Sequence, residues 1–214
     1  MKKVPESFYE HTHRTYSDPA AVELYIARVP ATRADGLRPA MDAFLDLLPA
    51  GGRVLDIGSG TGIDVAALRA LGFRATGLDA SPAMVQSARD RHGDFFTIGD
   101  VRHLELGPLG LFDGVLCIAL LLHILRNDAP AVIDRLRRLT RPGGSLLLVT
   151  KEGRRMLWDR KLGKTRPRGV VFYTARELRS LLTGGGFSVG AVIHSESPRG
   201  GVPEKWVSLV ATAV

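Results

Sequence analysis

The segment Val54-Leu-Asp-Ile-Gly-Ser-Gly-Thr-Gly62 carries the most chemically specific spacing in the chain. An apolar run containing Asp56 gives way to glycines at positions 58, 60 and 62, and a segment of helical period follows directly. Glycines there let the backbone turn sharply and approach a ligand closely, and the N-terminus of the following helix offers free N–H groups to a carboxylate or phosphate. Seventeen residues beyond Gly62, a second apolar run ends in Gly77-Leu-Asp79, and a third ends in Gly99-Asp100. A carboxylate at Asp79 can accept from both hydroxyls of a ribose, and one at Asp100 from an exocyclic adenine amine. Together they predict a nucleoside-shaped slot at the carboxyl ends of three adjacent strands. Taken singly, each aspartate reads equally well as a solvated strand end or a helix cap. The dinucleotide fingerprint is G-x-G-x-x-G, whereas this turn is G-x-G-x-G, so the spacing argues against NAD.

Other residues point to the acceptor side of such a slot. His123 stands a few residues past the fourth apolar run, where an imidazole can take a proton from a hydroxyl or amine near neutral pH, or can simply order its loop. Tyr9, Tyr16 and Tyr25 lie in an aromatic-bearing stretch that closes over the site or packs a helical core. Between Lys151 and Arg168 stand eight basic residues against two acidic ones, so this segment alone carries +6 of the formal net charge of +7. It follows the fifth apolar run, and Lys151, Arg154 and Arg155 are the candidates for drawing in a carboxylate or phosphate; a solvated loop is the plainer alternative. Phe172 and Tyr173 offer an apolar wall to the same pocket. His11 and His13 could be read as a metal pair, but they stand in no metal-ligand spacing with cysteines or further histidines, and no metal is expected.

These residues must be carried by alternating strands and helices. Runs rich in Val, Ile and Leu predict strands over Arg53–Ile57, Arg74–Leu78, Phe95–Ile98, Gly114–Ala119 and Ser145–Thr150. Helical periods separate them at Asp64–Leu71, Ser81–Arg91 and Asn127–Thr140, with Ser81 and Asn127 as N-caps and Pro82 in a first turn. Thr174-Ala-Arg-Glu177 is a capping box for a helix over Arg176–Thr183. Strands over Ser188–His194 and Trp206–Ala213, joined by a loop over Ser197–Pro203, predict a terminal hairpin. Ahead of all this, Ala34–Leu48 predicts an amphipathic helix, and residues 1–33 a helical lid.

A chain of 214 residues supports one packed core with an extension. Hydrophobic residues at 45% with charged residues at 24% exclude a disordered chain. The first ten residues lack the apolar run of a secretory signal, and the longest apolar stretch falls short of a membrane span, so a cytoplasmic protein is expected. A single cysteine, Cys117, leaves no internal disulfide and no thiolate metal cage.

At this point the chain resembles the class I, Rossmann-like S-adenosylmethionine-dependent methyltransferases. Asp56 to Gly62, Asp79 and Asp100 match the family's acidic and glycine positions. Phe112-Asp-Gly-Val-Leu-Cys117 is similar to its fourth strand, and Leu139-Thr-Arg-Pro-Gly-Gly-Ser-Leu-Leu-Leu148 to its turn into the fifth; the likeness spans residues 40 to 214. The resemblance implies an α/β fold with a seven-stranded, mostly parallel sheet of order 3-2-1-4-5-7-6, the last strand antiparallel, helices on both faces, and a methyltransferase domain over residues 34–214. It further implies that Asp56, Gly58, Ser59, Gly60, Thr61 and Gly62 surround the methionine part of S-adenosylmethionine. Asp79 would take the ribose, with Ala80 and Met84 beside it. Asp100, Val101 and Arg102 would lie at the adenine, and the backbone of Cys117 and Ile118 at the amino group. The expected activity is methyl transfer to an oxygen or nitrogen of a small, anionic metabolite or natural product, yielding S-adenosylhomocysteine. Alternatives from other classes are an RNA or DNA methyltransferase, favoured by the basic run but lacking D/N-P-P-Y/F and Pro-Cys motifs, and a cofactor-binding protein without catalysis.

Overall fold

The computed structural model describes residues 7–28, 37–105, 109–160, 167–199 and 202–214. Side chains of the first strand, β1 (Arg53–Ile57), divide between two apolar clusters because successive strand residues point to opposite faces. Val54 joins Phe44, Val65 and Val85 on one face, while Leu55 and Ile57 join Val132, Leu136 and Leu178 on the other. A sheet buried on both sides needs helices on both sides, and the alternation along the chain supplies them.

Parallel strands β2 (Arg74–Asp79), β3 (Phe96–Ile98), β4 (Phe112–Ile118) and β5 (Thr140–Lys151) flank β1. Between them run α4 (Ile63–Ala70), α5 (Pro82–His92) and α6 (Ala129–Leu139), preceded in the chain by α1 (Ser7–Tyr16), α2 (Pro19–Arg28) and α3 (Arg38–Leu45). A short ribbon of β6 (Met156–Asp159) and β7 (Arg168–Val171) stands apart from the main sheet. The chain then forms α7 (Ala175–Gly184) and the hairpin β8 (Phe187–Arg199) and β9 (Val202–Ala213). The sheet order is β3-β2-β1-β4-β5-β9-β8, and β9 is antiparallel to β5. With the ribbon counted separately, this is the expected 3-2-1-4-5-7-6. Among the described residues, no helix is long and apolar enough to cross a membrane.

Several local expectations hold. Ser81 caps α5 by accepting from the Met84 N–H, and Thr174 with Glu177 closes the capping box on α7. Others need correction. Asn127 is not an N-cap: α6 starts at Ala129 after Asp128, whose carboxylate is engaged by the Tyr9 hydroxyl instead of the helix. Thr140 leaves the helix and pairs with Phe112, so β5 starts five residues before Ser145. The loop over Ser197–Pro203 is mostly strand, with Pro198 opposite Pro203 at the far end of an edge hairpin, where a missing N–H costs the sheet least. Of the predicted amphipathic helix, residues 34–36 lie outside the described residues, and the remainder is helical over Arg38–Leu45.

Residues 161–166 of the basic segment lie outside the described residues, and the stretches on either side of them pair as the ribbon. The ribbon binds α1 through Gly169, against which Phe8 is packed so closely that a Cβ at position 169 would lie 2.0 Å from the ring. The Gly169 N–H also donates to the Thr12 hydroxyl at 3.0 Å. Gly169→Ala is therefore expected to push α1 off the ribbon and cost about 1–3 kcal/mol, as overpacked interiors do. A thermal melt unchanged from the parent would show that α1 is not held there.

Candidate functional site

A cavity of about 460 Å³ opens at the carboxyl ends of the parallel strands, within the range of small-ligand sites. Its floor is the glycine turn between β1 and α4, where Gly58, Gly60 and Gly62 all have positive φ. The turn is tied down by its own backbone: Gly58 and Ser59 donate to the Leu78 carbonyl at 2.7 and 3.1 Å, and Gly62 donates to Ser59. Gly60 donates to Asp79 Oδ2 at 2.9 Å. The turn thus gives shape, while the N–H groups expected to face a ligand at these four positions are already donated within the protein.

Asp79 ends β2 with Oδ1 accepting from the Ser81 N–H at 2.8 Å. Burial raises its pKa, and the two backbone donors oppose that rise. Each carboxylate oxygen keeps a lone pair, so the group is fixed in place and still able to accept from a diol. Asp100 is gripped by Arg102, with Nη2 to Oδ2 at 2.5 Å and the Arg102 N–H to Oδ1 at 2.9 Å. Burial pushes Asp100 upward, but the Arg102 hydrogen bonds and charge outweigh it and leave its pKa below the ordinary carboxylate value. The Arg102 guanidinium in turn lies 3.7 Å over the Tyr9 ring.

At the opposite end, α1 and the ribbon bring four side chains together. His123 Nδ1 is 2.7 Å from the Gly169 carbonyl, which can only accept, so Nδ1 carries the proton and Nε2 the lone pair. The Tyr16 hydroxyl donates to that Nε2 at 2.9 Å, and its oxygen accepts from Arg168. Arg168 also holds Asp159 Oδ2 through Nε at 3.2 Å and Nη2 at 2.8 Å, both side chains being nearly buried. Burial first, and then the Arg168 cation, lower the His123 pKa to about 3. Burial pushes Tyr16 up to about 12 against the pull of Arg168. An imidazole poised near neutrality, as the sequence suggested, is therefore not what the fold builds.

This depressed pKa has a consequence for stability. An unfolded histidine takes its proton near pH 6.5. Folded His123 stays neutral down to about pH 3, so across that window the unfolded chain binds one more proton. The contribution is intact above pH 6.5 and is lost as pH falls toward 3. Urea midpoints of His123→Gln are expected to fall less steeply than those of the parent between pH 6.5 and 4.5; parallel slopes would show that His123 protonates freely in the native state.

Of the residues expected at a cofactor, Gly58, Gly60, Asp79, Ala80, Met84, Asp100, Val101, Arg102 and Ile118 line the cavity. The others do not. Asp56 is buried in β1, beside the Cys117 thiol, whose pKa burial and then the Asp56 charge push to about 12. Ser59 packs on Gly77, Thr61 is buried within the turn, and Gly62 lies against Phe96 and His92. Among the acceptor candidates, Tyr16, Tyr25, His123 and Lys151 reach the cavity. Tyr173 is a correction: it is 1% exposed, and its hydroxyl donates to the Ile124 carbonyl at 2.7 Å within the core. Phe172 packs with Leu122, Val170 and Trp206, so neither residue forms the apolar wall. Arg154 and Arg155 are also misplaced by the sequence reading: Arg154 borders a separate surface hollow with Arg126 and Arg176, and Arg155 covers the Phe172 ring. His11 and His13 diverge, the first toward Trp158 and the second to the Ala80 carbonyl at 3.1 Å.

Sequence reasoning also missed part of the wall. Trp206 and Ser208, two residues apart on β9, face the cavity, joined by Ser195, Glu196 and Ser197 of β8. Trp206 and Ser208 lay in a predicted strand, where their spacing of two was the available signal, while Ser197 fell in the stretch that its prolines marked as loop. Ala119, just past β4, has φ +56 and lines the cavity, a strained backbone of the kind found at ligand sites.

Residues 31–192 match the model of the methyltransferase domain family, well over half of the chain. The chain belongs to that family. Among curated relatives, a ubiquinone biosynthesis O-methyltransferase of Xanthomonas oryzae pv. oryzae is 37% identical over 116 residues, covering 51% of this chain and 46% of the relative. A malonyl-[acyl-carrier protein] O-methyltransferase of Serratia marcescens is 37% identical over 101 residues, covering 47% and 38%. The chain thus spans less than half the length of these relatives. The crystal structure of the Burkholderia thailandensis 1,6-didemethyltoxoflavin-N1-methyltransferase, with 1,6-didemethyltoxoflavin and S-adenosylhomocysteine bound, superposes with a TM-score of 0.68 at 23% identity, covering 94% of this chain and 90% of that one. The methyltransferase match and this superposition agree with the class I, Rossmann-like reading of the fold.

Proposed function

We propose that this protein transfers the methyl group of S-adenosylmethionine to an oxygen or nitrogen of a small molecule. The observation that carries this is the continuity of one cavity from the fixed Asp79 carboxylate and glycine turn to the Tyr16–His123–Arg168 cluster. The residues fit the cofactor: a Cβ at Gly58 would come within 3.0 Å of Leu120, so the turn is a cradle that only glycine leaves open, and Asp79 is already oriented. Gly58, Gly60, Asp79, Asp100 and Ile118 would hold it.

S-adenosylmethionine supplies a methyl on a sulfonium, already activated for in-line displacement. The protein's task is to position the nucleophile and exclude water. Helices α1 and α2 act as the lid: the Tyr16 carbonyl accepts from the Ser81 hydroxyl at 2.9 Å, tying α1 to the end of β2. Tyr16 holds the acceptor. Its oxygen, already accepting from Arg168, has one lone pair left for an acceptor hydroxyl or amine, and its own proton points at His123 Nε2. A proton leaving the acceptor passes to Tyr16 as Tyr16 passes its own to His123. Because His123 is a weak base in this setting, that transfer accompanies or follows the displacement and does not precede it.

The cavity favours an uncharged acceptor over the anionic one suggested by the basic run. Lys151 is paired with Glu204 at 3.0 Å, and Arg168 with Asp159, so both cations bring their own carboxylates. The exposed Arg154 and Arg155 do not line the cavity, and this, with the lid, speaks against a nucleic-acid groove. Calorimetric titration with S-adenosylmethionine, S-adenosylhomocysteine and NAD tests the reading, followed by transfer from methyl-labelled cofactor to neutral and anionic phenols and amines. Micromolar binding of both sulfur nucleosides without NAD, and label on a neutral acceptor, are expected. Binding of NAD alone would overturn the assignment, and cofactor binding without transfer to any acceptor would favour a non-catalytic binding protein.

A further inference from the structure

At the end of the cavity where Tyr16 and His123 meet, two cations are built alike. Arg168 reaches the cavity from β7 and Lys151 from the end of β5, whereas their carboxylate partners, Asp159 and Glu204, do not line it. Each cation thus meets the ligand space with its charge balanced from behind. They differ in what they still offer. Arg168 turns Nε and Nη2 to Asp159 and Nη1 to the Tyr16 hydroxyl. Lys151 makes one contact with Glu204, Nζ to Oε1 at 3.0 Å, and an ammonium carries three N–H donors.

Aromatic rings frame that ammonium. In the register of the sheet Lys151 stands opposite Trp206, and Trp206 opposite Ser195, so cation, indole and hydroxyl form one cross-strand row on the cavity wall. Nζ lies 5.7 Å from the Trp206 ring centroid and 5.8 Å from that of Phe172. Phe172 is buried, while Trp206 is only partly so and leaves indole surface open to a ligand. Burial lowers the Lys151 pKa, and the Glu204 charge opposes that fall. A buried ammonium whose charge is already cancelled gains little from a second carboxylate, which would crowd two anions around one cation. It can still donate to an uncharged oxygen, and a carbonyl is the uncharged group that only accepts. The indole beside it offers rigid contact area to a flat ring.

We infer that the Lys151–Glu204 pair sets acceptor specificity: Lys151 donates to an uncharged carbonyl oxygen of an aromatic acceptor packed against Trp206, and Glu204 bars a carboxylate from the same place. Glu204 acts through Lys151 and does not touch the ligand. The acceptor class is an aromatic hydroxy or amino compound that also bears an amide, ester or ketone.

The inference rests on the methyltransferase reading, and the test separates the two. The whole chain, saturated with S-adenosylhomocysteine near neutral pH, is titrated calorimetrically with matched sets of probes: phenol, 4-hydroxybenzamide and 4-hydroxybenzoate, then aniline with its corresponding amide and carboxylate. The parent is expected to bind the amides about tenfold or more tighter than the unsubstituted rings and the carboxylates, as a hydrogen bond to a charged group allows. Lys151→Met should bring amide and unsubstituted ring within about twofold of each other. Glu204→Gln leaves an ammonium that a ligand carboxylate can neutralise, so the carboxylates should now bind tighter than the amides. Circular dichroism checks the fold of each variant. Where a single variant fails to fold, the double variant Lys151→Met, Glu204→Gln, which removes both charges together, decides: it should lose the preference for amides, and a preference kept overturns the inference. Equal losses across a whole set in Lys151→Met would make Lys151 a merely structural residue, and an unchanged order in Glu204→Gln would take specificity away from the pair; both overturn the inference. So does a parent that binds S-adenosylhomocysteine and favours no amide. Failure of the parent to bind S-adenosylhomocysteine would instead overturn the methyltransferase reading.

Discussion

Replacing Arg168 with leucine is expected to destabilise the protein by about 3–5 kcal/mol, the usual cost of removing one partner from a buried ion pair. The guanidinium fills a place between Asp159 and Tyr16, and the Arg168 and Asp159 side chains are only 9% and 6% exposed. Without it, the Asp159 carboxylate loses its cation in a nearly dry setting, and the Tyr16 hydroxyl keeps His123 alone of these two partners. The double variant Arg168→Leu, Asp159→Leu should recover much of the loss, because a buried pair replaced by apolar groups is often neutral in stability. Urea unfolding of the single and double variants measures both terms. A loss below about 1 kcal/mol for the single variant would show that water reaches the pair and that the ribbon is looser than its packing indicates.

Asp79→Ala is expected to weaken S-adenosylhomocysteine by about 10²-fold or more. Two hydrogen bonds from a ribose to a carboxylate, at about 1.5–3 kcal/mol each, set the lower end of that figure. The variant also releases the Gly60 and Ser81 N–H groups that the carboxylate now holds, so the turn itself loses a constraint. Asp79→Asn keeps one acceptor oxygen and is expected to fall between the parent and the alanine variant. The sign of the pH effect follows from burial: with its pKa raised, Asp79 protonates earlier on acidification than an ordinary aspartate, and affinity for the nucleoside should decline with it. An unchanged dissociation constant in a folded Asp79→Ala protein would remove this residue from the site.

The half of the cavity built on the glycine turn was legible because its determinants are local. The strand, the glycines and the helix start of residues 53–70 are contiguous, Asp79 ends the next strand and Asp100 stands two residues past the third, so spacing alone carries them to one edge of the sheet. Even there, spacing could not show which glycine N–H groups are already donated, since that depends on how β2 sits against the turn. The half around Tyr16 and His123 depends on pairs far apart in sequence. Tyr16 meets Arg168 across 152 positions and His123 across 107. Lys151 and Arg168 looked like free charge within a basic run because Glu204 and Asp159 become their partners only when the hairpin and the ribbon close. Tyr173 was misassigned for a related reason: it stands beside a basic run, and only the packed position of Ile124 shows that its hydroxyl is spent inside the core. The four-residue strands of the ribbon are too short for periodicity to announce them.

Trp206 and Ser208 reach the acceptor cavity from β9, which also carries Leu209 and Ala211 in the core cluster and pairs with β5 from Ser145 to Lys151. One strand is therefore both structural beam and lining of the acceptor wall. Adding or removing a single residue between Val202 and Lys205 would move Glu204 off Lys151, while Trp206 and Ser208, paired with Lys151 and Val149 of β5, kept their places. Substitution at positions 195, 197, 206 and 208 thus reshapes the wall directly, whereas a change in hairpin length would act first on the charge balance around Lys151.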